Sequence, residues 1–171
     1  MAIKFMGSFA TVADLPHHGT IREYAFIGRS NVGKSSLINS VVGQKIAKVS
    51  NTPGRTQSLN LFNMDDRIWI MDLPGYGYAR VSKDEQLRWL NRLEEYLINR
   101  VELSMLFILA DARHGITELD KIILDFVSEE RVPHTVVYTK CDKKGAGKFD
   151  DGVITSAEKG TGIDKIRVML V

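Results

Sequence analysis

The run Gly28-Arg29-Ser30-Asn31-Val32-Gly33-Lys34-Ser35 constrains this chain more than any other part of it. It satisfies GxxxxGK[ST] in full, and its flanks supply the context that the pattern needs. Tyr24-Ala25-Phe26-Ile27 before it is short and apolar and reads as a buried strand. Ser35 to Val42 after it reads as a helix with Leu37, Ile38, Val41 and Val42 on its inner face. A glycine-bearing turn between strand and helix lets successive backbone N–H groups converge on one anion. The start of the helix adds partial positive charge. In such a loop Lys34 reaches the β- and γ-phosphates of a nucleotide, the Ser35 hydroxyl ligates Mg2+, and Ser36 completes the phosphate-binding run. A chance match, leaving only an incidental lysine in a turn, is rare at average glycine frequencies.

The rest of the chain alternates between period 2 and period 3.6, the pattern of an α/β fold. Leu59 to Met64 and Arg67 to Met71 flank Asp65-Asp66 as a hairpin. Ile46 to Gln57, with Pro53-Gly54, reads as a loop. Ser82 with Glu85 forms a capping box opening a helix to about Arg100, with Leu87, Leu90, Leu93 and Leu97 as its buried stripe and Trp89 and Tyr96 at the margins. Leu103 to Ala110 is a strand, and Thr117 caps a helix over Glu118 to Glu129 with Leu119, Ile122, Ile123 and Phe126 inside. Thr135 to Tyr138 and Val153 to Thr155 are the last strands, before a helix from Ile163 to Leu170. The expectation is one domain over residues 1–171, a three-layer phosphate-loop fold. Its six-stranded, mostly parallel sheet has one antiparallel edge strand and helices on both faces. Ligands in such sheets bind outside the carboxyl ends of the strands. The loops after Ile27, Met71, Tyr138 and Thr155 open there.

Each of those loops carries a motif. Asp72-Leu73-Pro74-Gly75 is a DxxG whose Asp72 holds Mg2+ through water and whose Gly75 N–H senses the γ-phosphate. In the preceding loop, Gly54-Arg55-Thr56-Gln57-Ser58 reads as a first switch, with Thr56 as a further Mg2+ ligand. Thr139-Lys140-Cys141-Asp142 matches [NT]KxD. A carboxylate there accepts both N1–H and N2–H2 of guanine, donors that adenine lacks in that arrangement, so the wrong base leaves groups unpaired. The Lys140 stem covers one face of the base, and Thr155-Ser156-Ala157 offers a backbone N–H to the guanine carbonyl. Cys141 reads as a passive residue of its turn, and His17-His18 as loop residues without metal-ligand spacing.

Composition closes off other classes. The net charge of +2 is too small to argue for nucleic acid by itself. One cysteine rules out an intrachain disulfide framework. No run approaches the roughly 18 apolar residues of a membrane span. The N-terminus lacks a secretory pattern. A cytoplasmic monomer without membrane contact is the expectation.

GRSNVGKSSLIN, TPGRTQSLN, DLPGYGYA, DARHG…TELD and TKCD together resemble the EngB (YihA/YsxC-like) GTPases, in the TrmE-Era-EngA-EngB-Septin-like group. The resemblance covers Phe26 to Asp142 and resumes at Ser156. It implies a bacterial or organellar GTP-binding protein needed for large ribosomal subunit assembly and for normal cell division and septation. Its partners are then GTP or GDP and the assembling subunit or its rRNA, with Arg55, Arg80 and Lys83 as candidate phosphate contacts. Tyr76 stands where many such switches carry the Gln that orients the attacking water, which predicts slow hydrolysis. An Asn at position 31 is a candidate K+ ligand in related GTPases, and a loop-shaping residue otherwise.

The chain departs from that pattern in a short C-terminal helix and, more strongly, after the [NT]KxD motif. EngB-like chains have a helix between [NT]KxD and the last strand, whereas here 13 residues, Lys143 to Thr155, span the gap. The segment KKGAGK within them is a poor helix. Either the helix is missing from this protein, or a stretch that would carry it lies outside these residues. The competing function is a nucleotide-binding interaction module without useful hydrolysis. A phosphate-loop kinase needs an acceptor site and a lid, and TKCD and SAE argue against it.

Overall fold

The structure is a computed structural model and describes residues 2–48, 58–78 and 80–170. Among these, seven strands form one sheet: β1 (Ile3–Phe9), β2 (Arg22–Gly28), β3 (Leu59–Met64), β4 (Ile68–Asp72), β5 (Leu103–Asp111), β6 (His134–Thr139) and β7 (Val153–Ile154). The helices are α1 (Lys34–Val42), α2 (Lys83–Asn99), α3 (Glu118–Glu129) and α4 (Ile163–Met169). The sheet order is β1-β3-β4-β2-β5-β6-β7. The strands from β4 to β7 in that order pair in parallel, and β3 is antiparallel to both of its neighbours.

Central strand β2 is buried on both faces, as parallel strands under helices must be. Its Ala25 and Ile27 pack with Leu93, Tyr96 and Leu97 of α2 and Ile123 and Val127 of α3. Its Tyr24 and Phe26 pack in the opposite core with Leu37 and Ile38 of α1 and Ile163 and Ile166 of α4. This is the three-layer arrangement that the alternating pattern predicts. The count differs by one strand. The extra strand, β1, puts the antiparallel β3 second from the edge rather than at it. β1 leaves Phe5 55% exposed, so it owes its form to pairing with β3 more than to burial.

The predicted capping box of Ser82 with Glu85 forms on α2, and Thr117, predicted as a cap, forms a full box with Asp120 on α3. Each satisfies two N–H groups that the first helical turn leaves unpaired. The stripes shift by a residue or two. Leu87 and Ile122, expected inside, lie on the surface, while Tyr96 and Val127 are buried. Leu90, Leu119 and Phe126 are half-buried. Tyr96 can be internal because its phenol donates to the Glu23 carboxylate. Arg100 also donates to Glu23, through Nε to both oxygens at 3.1 Å and through a terminal nitrogen at 2.7 Å. This buried ion pair fastens the amino-terminal edge of the sheet, opposite the loops that carry the motifs.

No helix forms between β6 and β7. Phe149 lies instead on Tyr138, ring centroids 3.7 Å apart and 7° from parallel. The Tyr138 hydroxyl donates to Asp151 at 2.9 Å, and the Gly147 N–H to the Ala112 carbonyl at 2.8 Å. Among the described residues no helix is long and apolar enough to cross a membrane.

Candidate functional site

The loop from β2 to α1 is shaped by two glycines. A Cβ at Gly28 would lie 2.7 Å from the Val32 side chain and 3.0 Å from that of Leu109, closer than packing allows. Gly33 caps α1 at a φ of 98°, in the region that favours glycine. Asn31 sits at a φ of 63°, a left-handed conformation that Asn tolerates better than most residues.

Two neighbouring loops tie this one down. On one side the Ser30 N–H donates to the Tyr76 carbonyl at 2.8 Å, and the Tyr76 N–H to the Gly28 carbonyl at 3.3 Å. On the other, the Thr139 hydroxyl donates to the Val32 carbonyl and the Lys140 ammonium to the Asn31 carbonyl, both at 2.6 Å. Arg29 lies against Gly77.

A cleft of about 1210 Å3 runs along the loop, lined by Gly33, Lys34, Ser35, Ser36, Asp72 and Gly75 among others. Leu73, Pro74 and Ser58 also reach it. Lys34 opens α1 and forms an ion pair with Asp72. Burial pulls the Lys34 ammonium down to about 8, while the facing carboxylate favours its charged form. The Ser35 hydroxyl and Asp72 carboxylate are hard oxygen donors of the type Mg2+ takes, so the residues present fit that ion. Of the predicted first switch, Gly54, Arg55, Thr56 and Gln57 lie outside the described residues. Arg80 and Lys83 are exposed at the approach to α2.

A second cavity of about 320 Å3 adjoins the first and shares Gly33, Ser36 and Lys140 with it. Leu37, Asp142, Thr155 and Ala157 line it too. The Lys140 stem passes 3.5 Å from where a Gly33 Cβ would stand, an ordinary packing distance. A hydrogen bond from the Ser156 side chain, with Lys143 adding to it, holds the Asp142 carboxyl below its usual range. The two base-side loops are sewn together. The Cys141 N–H donates to the Thr155 carbonyl at 3.1 Å, and the Thr155 N–H to the Tyr138 carbonyl at 2.7 Å. Burial, then the Asp142 charge, raises the Cys141 thiol, which suits a passive residue.

The four sequence motifs that fall within the described residues therefore meet at one sheet edge. Several supporting residues were not singled out from sequence. Asp111, at the end of β5, accepts from Arg113 Nε at 3.0 Å and lies 3.3 Å from the Lys140 ammonium. Burial works against its charge, but these partners hold its carboxyl well below the usual range. Ser40 of α1 donates to the Ala157 carbonyl at 3.1 Å. The Asn39 side chain accepts the N–H groups of Ile46 and Ala47 at 2.9 and 2.8 Å, fixing the chain as it leaves α1. The DARHG string contains Asp111, and GRSNVGKSSLIN ends on Asn39.

Residues 23–140 match the family described as 50S ribosome-binding GTPase. A probable GTP-binding protein EngB of Aquifex aeolicus is 41% identical over 176 residues, covering 95% of this chain and 94% of that protein. Another, of Rhodospirillum rubrum, is 38% identical over 191 residues, covering 98% and 82%. The crystal structure of a probable GTP-binding protein engB shares the fold, with a TM-score of 0.68 at 23% identity over 86% of this chain and 96% of that one. Aquifex aeolicus Era bound to GDP and AlF4− gives a TM-score of 0.67 at 26% identity, over 88% of this chain and 56% of that one.

Proposed function

The chain belongs to the EngB family of GTP-binding proteins, and from that premise we propose that it is a cytoplasmic guanine-nucleotide switch. It hydrolyses GTP slowly by itself and acts in assembly of the large ribosomal subunit, with the division and septation role that the resemblance implies. The observation that carries the reading is the adjoining pair of cavities at one sheet edge. One is a phosphate cleft over Lys34 and the other a base-sized cavity with the ionised Asp142, and Lys140 borders both.

Binding exchanges one set of contacts for another. The phosphates take the N–H groups of the loop and the Lys34 ammonium, which leaves Asp72. Ser35 and Thr56, with Asp72 through water, would hold Mg2+, which would supply positive charge against the phosphates. Asp142 accepts the guanine N–H groups while the Lys140 stem lies along the base. Slow hydrolysis follows from Tyr76, whose ring is buried and whose hydroxyl donates to Asp120. It therefore cannot orient a water at the γ-phosphate. The same observation favours the second reading, an interaction module that needs no turnover.

GTP hydrolysis measured with and without large-subunit assembly particles, in K+ and in Na+, tests the proposal. Slow turnover alone and stimulation by the particles is the expected result. Faster turnover in K+ would give Asn31 a role beyond shaping the loop. Tight binding without stimulation in either salt would favour the interaction module.

A further inference from the structure

We propose that Tyr76 is a positioning residue, whose bond to Asp120 at the start of α3 fixes Gly75 beside the phosphate loop and so sets how tightly GTP is held relative to GDP. This rests on the reading of Gly75 as the γ-phosphate sensor.

The bond joins two buried side chains, Tyr76 at 3% and Asp120 at 1% exposure. The carboxylate is divided between two tasks. Its Oδ2 accepts the Thr117 N–H and hydroxyl, both at 2.8 Å, which is the helix cap. Its Oδ1 accepts the Tyr76 hydroxyl. The Tyr76 ring packs on Trp89 of α2 with centroids 5.0 Å apart, and the Trp89 indole N–H donates to the Pro74 carbonyl at 3.2 Å. With the two backbone bonds from Tyr76 to the phosphate loop, Pro74 to Tyr76 is held by α2, α3 and that loop together.

Gly75 is the residue inside this frame. A Cβ on it would lie 3.4 Å from the Gly28 carbonyl and 3.6 Å from the Ser30 nitrogen. GTP and GDP differ only in the γ-phosphate, so a preference between them depends on where such a sensor stands. Gly77, the next residue but one, has a φ of 74°, where the chain can turn away from the frame. The Tyr76 hydroxyl stays protonated, and so remains a donor, because burial and then Asp120 push its pKa up.

Dissociation of fluorescent GDP and of a non-hydrolysable GTP analogue, both with Mg2+, tests this on the full chain. The variants are Tyr76→Phe and Thr117→Ala. The second removes another bond to the same carboxylate without touching Gly75's segment. Tyr76→Phe is expected to release the GTP analogue about tenfold faster, the scale of one hydrogen bond to a charged group, and to leave GDP release unchanged. Thr117→Ala should lower the melting temperature and alter neither rate. Equal shifts for both nucleotides, no shift, or the same effect in Thr117→Ala would overturn the proposal. Should Tyr76→Phe fail to fold, Asp120→Asn weakens the same bond while keeping an acceptor for Thr117. It should give a smaller shift in the same direction, and no shift would overturn the proposal. If the unaltered chain binds neither nucleotide, the functional reading fails as well. If it binds both and Tyr76→Phe is silent, only the present inference fails.

Discussion

Lys34 stands at the first turn of α1 against Asp72, both side chains mostly out of water. With its ammonium pulled down to about 8 by burial, close to half of the ligand-free protein carries a neutral Lys34 at that pH. Phosphate oxygens favour the charged form, so nucleotide binding near pH 8 takes up protons and affinity falls as pH rises further. Calorimetry in buffers of different ionisation enthalpy should show an uptake of about half a proton per nucleotide, and Lys34→Arg should show none. An uptake of zero in the unaltered chain would mean that Lys34 is already charged before the nucleotide arrives, its pairing with Asp72 outweighing burial. The identity of such residues was legible in sequence because the phosphate-loop and [NT]KxD patterns are local. Asp120 was not, since its partner Tyr76 is 44 residues away and the cap that it also makes is a sufficient local reason for an Asp. Tyr96 reads from sequence as a residue of the helix margin for the same reason, because the buried Glu23 that accepts its hydroxyl is 73 residues distant.

The elements themselves were read from sequence to within a residue or two wherever a cap or a glycine marks the end. Ser82 opens α2 as its capping box predicts, Thr117 opens α3 as a cap, and Gly43 closes α1 with a left-handed turn. β1 was missed because IKFMGSF shows no clean alternation; its form comes from pairing with β3. KKGAGK is a poor helix by composition, and the crossing from β6 to β7 has none. What takes its place, an aromatic stack, depends on two residues 11 apart and has no periodic signal. Phe149 is half-buried, and its ring covers Tyr138 beneath the loop that carries Asp142. Phe149→Ala should destabilise the fold by about 1–3 kcal/mol, from lost area and lost stacking. Urea unfolding checks the magnitude. A change below about 0.5 kcal/mol, the scale of ordinary surface substitutions, would mean that the stack does not replace the helix.

At the scale of the whole molecule the sheet is polarised. The Glu23–Arg100 pair and the Tyr96 phenol fasten the edge where β2 begins. The phosphate loop starts where β2 ends, about 17 Å further on at a strand's rise per residue. The buried ion pair and the binding loops therefore occupy opposite edges, joined by strands buried on both faces. The loops after β2, β4, β6 and β7 meet because those strands are parallel, so one edge collects every motif that the described residues carry. On the proposed reading, the phosphate half of that edge would serve any nucleotide, and the Asp142 half would make it a guanine site. Competition of GTP and ATP against fluorescent GDP, with Mg2+ present, separates the two directly. The account predicts that GTP displaces the probe and that ATP needs a concentration about a thousandfold higher or more. Displacement by ATP as readily as by GTP, or by neither, would contradict it.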